Sequence, residues 1–154
     1  MNIERFTPCR DGLEYYNSQP DFEIAWNNCH RGDWMLWMAN ELDVDNKILT
    51  LAKGKCAETV IHLMKDQRSI DAVKSAIDFG NELIDKDQLN AAYTAAGTAY
   101  TAAGNTADAA ACAAADAADD DDADDAIKEN QLKTANICRE ILTETVMEKL
   151  KEQV

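Results

Sequence analysis

Seven aspartates fall within ten residues of this chain: Asp116, Asp119, Asp120, Asp121, Asp122, Asp124 and Asp125. Carboxylates this dense can do three kinds of chemistry. Just before a helix, they accept hydrogen bonds from free backbone N–H groups and oppose the positive end of the helix dipole. Exposed as a group, they form a docking surface for a Lys- or Arg-rich partner. Folded as a loop, they bind Ca²⁺ or Mg²⁺, which needs ligands at alternate positions, a turn glycine and a closing glutamate. No glycine stands in the run, so no metal or cofactor is expected. A cap uses one or two carboxylates. The seven therefore read as partner-binding residues as well as a helix start.

The remaining chemistry is sparse. Five cysteines stand at 9, 29, 56, 112 and 138, with no CxxC pair, and the histidines are His30 and His62. That set makes a poor zinc site and reads as reduced, buried thiols in a cytoplasmic chain. His30 lies beside Arg31 and Asp33, and His62 lies one helical turn before Asp66. Each reads as an exposed or hydrogen-bonded histidine. GxSxG, HExxH and a phosphate-cradling glycine loop are all absent from the sequence, so no enzyme is expected. The opening MNIERFTPCR has no apolar core and is not expected to direct secretion.

The elements that must carry these groups read as helices. The only prolines are Pro8 and Pro20. Pro20 and Asp21 can open a helix running to about Asn28. Gly32 breaks the chain and Asp33 is expected to cap the next helix. That helix, with Trp34, Met35, Leu36, Trp37, Met38 and Ala39, is apolar on every side and belongs in the core. An exposed Trp pair would instead be a binding anchor. Asp45 can cap a further helix, whose core stripe is Ile48, Ala52, Cys56, Val60 and Leu63. Ser69 is expected to open another, carrying Ala72, Val73, Ala76, Ile77 and Phe79, with Gly80 as its stop. The last helix runs from near Asp121 to about Lys151. Ile127, Thr134, Cys138, Ile141 and Thr145 lie on one side of it, flanked by Ala135, Leu142 and Val146.

Between them lies an alanine-rich segment, residues 91–118, built on a seven-residue repeat: AAYTAAG, TAYTAAG, NTADAAA, CAAADAA, and then DDDDADD. Alanine loses no side-chain entropy in a helix, so this is helix, capped by Asp85 or Asp87. Tyr93, Tyr100, Ala107 and Ala114 form one column. Ala96, Ala103, Ala110 and Ala117 form another, suited to close packing within one chain or between two copies. Gly104-Asn105-Thr106 can break the segment. Asn105, Asp108 and Asp116 interrupt it as a membrane span. The expected architecture is all-α: one domain over residues 1–154, a bundle of six to seven helices including an alanine-rich helix or helix pair, with an acidic run at 119–125. Trp34, Trp37, Val60, Leu63 and Ile141 are expected inside.

Charge bounds the partner. Twenty-nine acidic and 15 basic residues give a formal net charge of −14, and the seven clustered aspartates supply half of the excess. Such a chain repels bare nucleic acid and anionic membrane. It attracts basic proteins, faster at low salt.

Several segments resemble a bacterial immunity-protein family of polymorphic toxin systems. Most specific is Ala25-Trp26-Asn27 with Cys29, Arg31, Gly32-Asp33-Trp34-Met35-Leu36-Trp37 and Ala39. Others are Ala52-Lys53, Lys55 to Val60, His62 to Asp66, Arg68-Ser69, Ala72-Val73, Phe79-Gly80, Gln131 to Ala135, Ile137-Cys138-Arg139 and Leu142-Thr143. The resemblance spans nearly the whole chain. It implies a cytoplasmic protein that binds and neutralises a protein toxin. The Asp119 to Asp125 block departs from that family's pattern. It suits an alternative job, an acidic mimic of nucleic acid that inhibits a host defence or restriction protein.

Overall fold

Four of the helices begin on an aspartate. The computed structural model describes residues 3–97, 106–117 and 122–152. Asp21 caps a helix by accepting from the Ile24 N–H at 2.8 Å. Asp45 accepts from Lys47 and Ile48, Asp66 from Arg68, and Asp85 from Gln88, whose side chain returns the bond to the Asp85 N–H. Each satisfies a donor that the first helical turn leaves unpaired.

The described residues form eight α-helices and no strand. A 3₁₀ turn at Ile3–Phe6 precedes α1 (Arg10–Asn17), α2 (Phe22–Asn28) and α3 (Gly32–Glu41). Then come α4 (Asn46–Glu58), a 3₁₀ turn at Ile61–Leu63, α5 (Gln67–Gly80), α6 (Lys86–Ala96), α7 (Thr106–Ala117) and α8 (Ala123–Glu152). The chain is thus an all-α bundle. Helix α1 was not evident from the sequence. It starts on Cys9, whose Sγ accepts from the Gly12 N–H at 3.4 Å.

Several boundaries differ from expectation for local reasons. Asp33 does not cap α3. The neighbouring Arg31 guanidinium holds both its oxygens, at 2.8 and 2.6 Å, and Arg31 takes the N-cap position without a side-chain cap bond. Helix α5 opens two residues before Ser69, because Asp66 supplies the cap. Gly80 is the last residue of α5 rather than a stop beyond it. A Cβ there would overlap Leu51, so glycine lets α4 and α5 close up. Val60 and Leu63 lie past the end of α4. Val60 is buried all the same, and Leu63 half so.

Helix α8 holds the bundle together. It has 30 residues, which at 1.5 Å each makes a rod about 45 Å long. Helices α3, α4 and α7 pack against it, α5 packs on α4, and α6 on α5. The buried face of α8 is Asn130, Thr134, Ala135, Cys138, Leu142 and Val146. Ile127, Ile141 and Thr145, expected on that face, are half-buried at its edge. The face turns this way because α3 meets α8 directly over Thr134. A Cβ added at Gly32 would stand 2.5 Å from the Thr134 hydroxyl oxygen and 2.7 Å from its carbonyl carbon. Only a glycine allows that approach. Beneath it, Cys138 Sγ donates to the Gly32 carbonyl at 3.6 Å, Cys56 Sγ to the Thr134 carbonyl at 3.8 Å, and the two sulfurs are 3.9 Å apart.

The alanine-rich segment is not one helix. α6 ends at Ala96, and Gly97 follows with φ 59°, a left-handed backbone that glycine adopts without Cβ strain. A second helix, α7, spans Thr106–Ala117. Gly104 and Asn105, where a break was expected, and Tyr100 and Ala103 of the repeat columns, lie outside the described residues. Ala96 and Ala110 of the second column are both buried, as is Ala111.

Two substitutions test this packing. Gly32→Ala should lower unfolding free energy by roughly 1–3 kcal/mol through overpacking, read from urea denaturation. An unchanged midpoint would mean that α3 stands off α8. Ala110→Leu should cost a similar ~1–3 kcal/mol. A raised melting temperature would place Ala110 against water.

Candidate functional site

Four of the seven clustered aspartates are described, at the end of α7 and the start of α8. Asp116, near the end of α7, is exposed, and so are Asp122, Asp124 and Asp125 at the start of α8. Asp119, Asp120 and Asp121 lie outside the described residues. The Asp122 carbonyl accepts from the Ala126 N–H at 2.9 Å, the first bond of the α8 ladder. Asp124 and Asp125 occupy the first turn, where negative charge opposes the dipole. Among the described residues, Asp125 is the one of these four in an ion pair, 3.6 Å from Lys128 Nζ. Such an exposed pair contributes little. One turn on, the Lys133 ammonium hydrogen-bonds Glu129 and holds its carboxyl below the usual range. No group of three or more acidic, Cys or His side chains among the described residues is placed to hold a metal.

A second site was not evident from the sequence. The segment Ile3 to Pro8 and helices α1, α2 and α3 enclose an open cleft of about 400 Å³. Six aromatic rings face it: Tyr15, Tyr16, Phe22, Trp26, Trp34 and Trp37. Tyr15 lies 5.7 Å from Trp34, Tyr16 6.0 Å from Phe22, and Phe22 stacks on Trp26 at 6.2 Å. Trp34 and Trp37 were expected in the core. Both are half-buried, because Met35, Leu36, Met38 and Ala39 take the inner face of α3. His30, exposed at the α2–α3 connection, sets its ring edge-on to Tyr15 at 5.9 Å. Asp66 pairs with Arg68 rather than with His62, which is exposed.

Several polar groups of the cleft are tied down. The Tyr15 hydroxyl donates to the Ala25 carbonyl at 2.9 Å, which fixes α1 on α2. The Trp26 indole N–H donates to Thr143 on α8, also at 2.9 Å. Arg31 lies over the Trp34 ring at 4.7 Å while it holds Asp33. Arg139 of α8 donates to the Cys29 carbonyl from behind. Burial pushes the Cys29 thiol up, with the Asp33 charge adding to it. The neighbouring Cys56 sulfur, then burial, raises the Cys138 thiol well above its usual value. Both are therefore neutral thiols at neutral pH. Cys9 and Cys112 are exposed, against the expectation of five buried thiols.

One sequence signal did point at the cleft. Of the ten Trp, Tyr and Phe residues, seven lie before residue 38. Aromatic residues so concentrated need either a core of their own or a surface to line.

Comparison with known proteins returns no match: no family model, no curated protein and no solved structure is similar to this chain. No described helix is long and apolar enough to cross a membrane.

The Tyr15 hydroxyl yields a pH prediction. Burial raises its pKa from 10.0 to about 12, with the negative charge that Cys29 gains on ionising adding and Arg139 opposing. The folded chain therefore holds this proton more tightly than the unfolded one. The resulting stability is complete below pH 10 and is lost as pH rises through 12. Tyr15→Phe should flatten that alkaline decline, and at neutral pH should cost about 1 kcal/mol for the lost bond. Denaturant midpoints measured at several alkaline pH values would check it. An identical alkaline slope in the variant would assign the decline to other groups.

Proposed function

We propose that this chain is a cytoplasmic immunity-type protein that binds a basic protein toxin through the acidic end formed by α7 and α8. The observation that carries the reading is the exposure of Asp116, Asp122, Asp124 and Asp125 around one helix junction. Like charges this close repel one another, since the Debye length at physiological salt is about 8 Å. Arriving Lys or Arg side chains relieve that repulsion, so the junction gains from a cationic partner what it loses when alone. Its placement at the start of a long helix packed on three others presents these carboxylates on a firm base. The resemblance of the Arg31 to Trp37 segment to immunity proteins supplies the partner class. No residue is assigned a covalent step, and the function is binding and blockade rather than catalysis.

The test compares the wild-type chain with one carrying Asp116→Asn, Asp122→Asn, Asp124→Asn and Asp125→Asn. Asparagine caps about as well as aspartate, so helix content should hold. Each chain is immobilised and used to capture protein from host lysate at low and physiological salt. The expected outcome is salt-sensitive capture of a basic protein by wild type, reduced on the order of tenfold in the variant. Equal capture at both salt concentrations would reduce the run to a helix start. Capture of a DNA-binding protein, reversed by added duplex DNA, would favour the nucleic-acid mimic instead.

A further inference from the structure

We propose that the cleft lined by α1, α2 and α3 is a binding site for a small, uncharged, flat aromatic molecule of one or two fused rings. The site shares no lining residue with the acidic end, so the two readings stand or fall separately.

The shape comes first. A cleft of about 400 Å³ falls within the range of small-molecule pockets, roughly 300–1,000 Å³. Its walls are rings already set at the spacings aromatic pairs prefer: 5.7, 6.0 and 6.2 Å between neighbouring centroids. A flat ring entering the cleft continues that array. Trp34 and Trp37 are only half-buried. Two large apolar side chains held against water are covered when a ligand enters, and this is the main driving force.

The charge pattern sets the class. The cleft has two ionised residues on its lining, Arg31 and Asp33, and they neutralise each other by two hydrogen bonds. Their side chains are 26% and 18% exposed. A ligand ion would have to compete with that pair in a partly dry setting, where separating charges is costly. A cation meets the Arg31 guanidinium already lying over Trp34. An anion meets Asp33 and a chain of net charge −14. The Tyr15 hydroxyl and the Trp26 N–H are engaged with Ala25 and Thr143, so neither is offered to a ligand, and the stacked rings carry the recognition. A neutral aromatic molecule is the class that gains from the walls without disturbing the pair.

Indole is the probe. The full-length ¹⁵N-labelled chain is titrated with it, and the three tryptophan indole N–H signals are followed by NMR. Trp34→Phe and Trp37→Phe assign them. The Trp34 and Trp37 signals should shift together and saturate, with a dissociation constant on the order of 1 mM for so small a ligand. Indole-3-acetate and tryptamine, its anionic and cationic analogues, should bind at least about tenfold more weakly. Gly12→Leu should weaken indole binding by a similar ~tenfold. A Cβ at Gly12 would stand 3.9 Å from the Trp34 ring and 3.2 Å from the Cys9 sulfur, so the larger side chain enters the cleft. Linear, unsaturating shifts would overturn the proposal, as would charged analogues that bind as tightly as indole. Unchanged binding by a folded Gly12→Leu chain would overturn it too. The analogue comparison uses the wild-type chain alone, so it decides the matter even if that variant does not fold.

Discussion

The fold depends on how closely α3 can approach α8. At Gly32 and Thr134 the two backbones come together with no room for a methyl group. Backbone contact of this kind needs small side chains and satisfied carbonyls on both helices. The chain supplies both with cysteine. Cys138 bonds the Gly32 carbonyl, Cys56 bonds the Thr134 carbonyl, and all three side chains at the crossing, Cys56, Thr134 and Cys138, are fully buried. A thiol is small enough to fit and polar enough to donate weakly. Larger side chains would push α3 outward. The rotation of α3 about that contact decides which of its residues face inward.

That rotation is what creates the aromatic cleft. With Met35, Leu36, Met38 and Ala39 committed to the interior, Trp34 and Trp37 are turned toward α1 and α2. The Trp26 bond to Thr143 and the Arg139 bond to Cys29 then pin α2 and its following turn to the same long helix. The cleft is thus framed by consecutive helices but held open from α8, more than a hundred residues away in sequence.

Local chemistry was the legible part. Asp45 is the expected cap, Asp85 is one of the two expected candidates, and the helix expected to open at Pro20 and Asp21 starts on Asp21 with Pro20 outside it; short-range hydrogen bonds decide such starts. Helical spacing also gave the inner face of α5 correctly, from Ala72 to Phe79. What could not be read was any choice among equally apolar faces. In α3 every side is apolar, so only the position of α8 tells Met35 from Trp34. Competition between neighbours was equally hidden. Asp33 would cap a helix if Arg31 did not claim both of its oxygens. The acidic run could be located in the sequence but not interpreted, because exposure depends on how α7 meets α8. Helix α1 was missed because Gly12 and its exposed charges weaken its pattern, while Tyr15 and Tyr16 find their place only against α2.

The burial of the thiols at the crossing gives the molecule a built-in clock. Cys56 and Cys138 have no accessible surface, whereas Cys9 and Cys112 are open to solvent. An alkylating reagent reaches the inner pair only when α3 and α4 part from α8, and the outer pair at any time. The ratio of slow to fast labelling therefore measures how often the bundle opens, residue by residue and under native conditions. Any partner or ligand that braces these helices would announce itself as a slower clock.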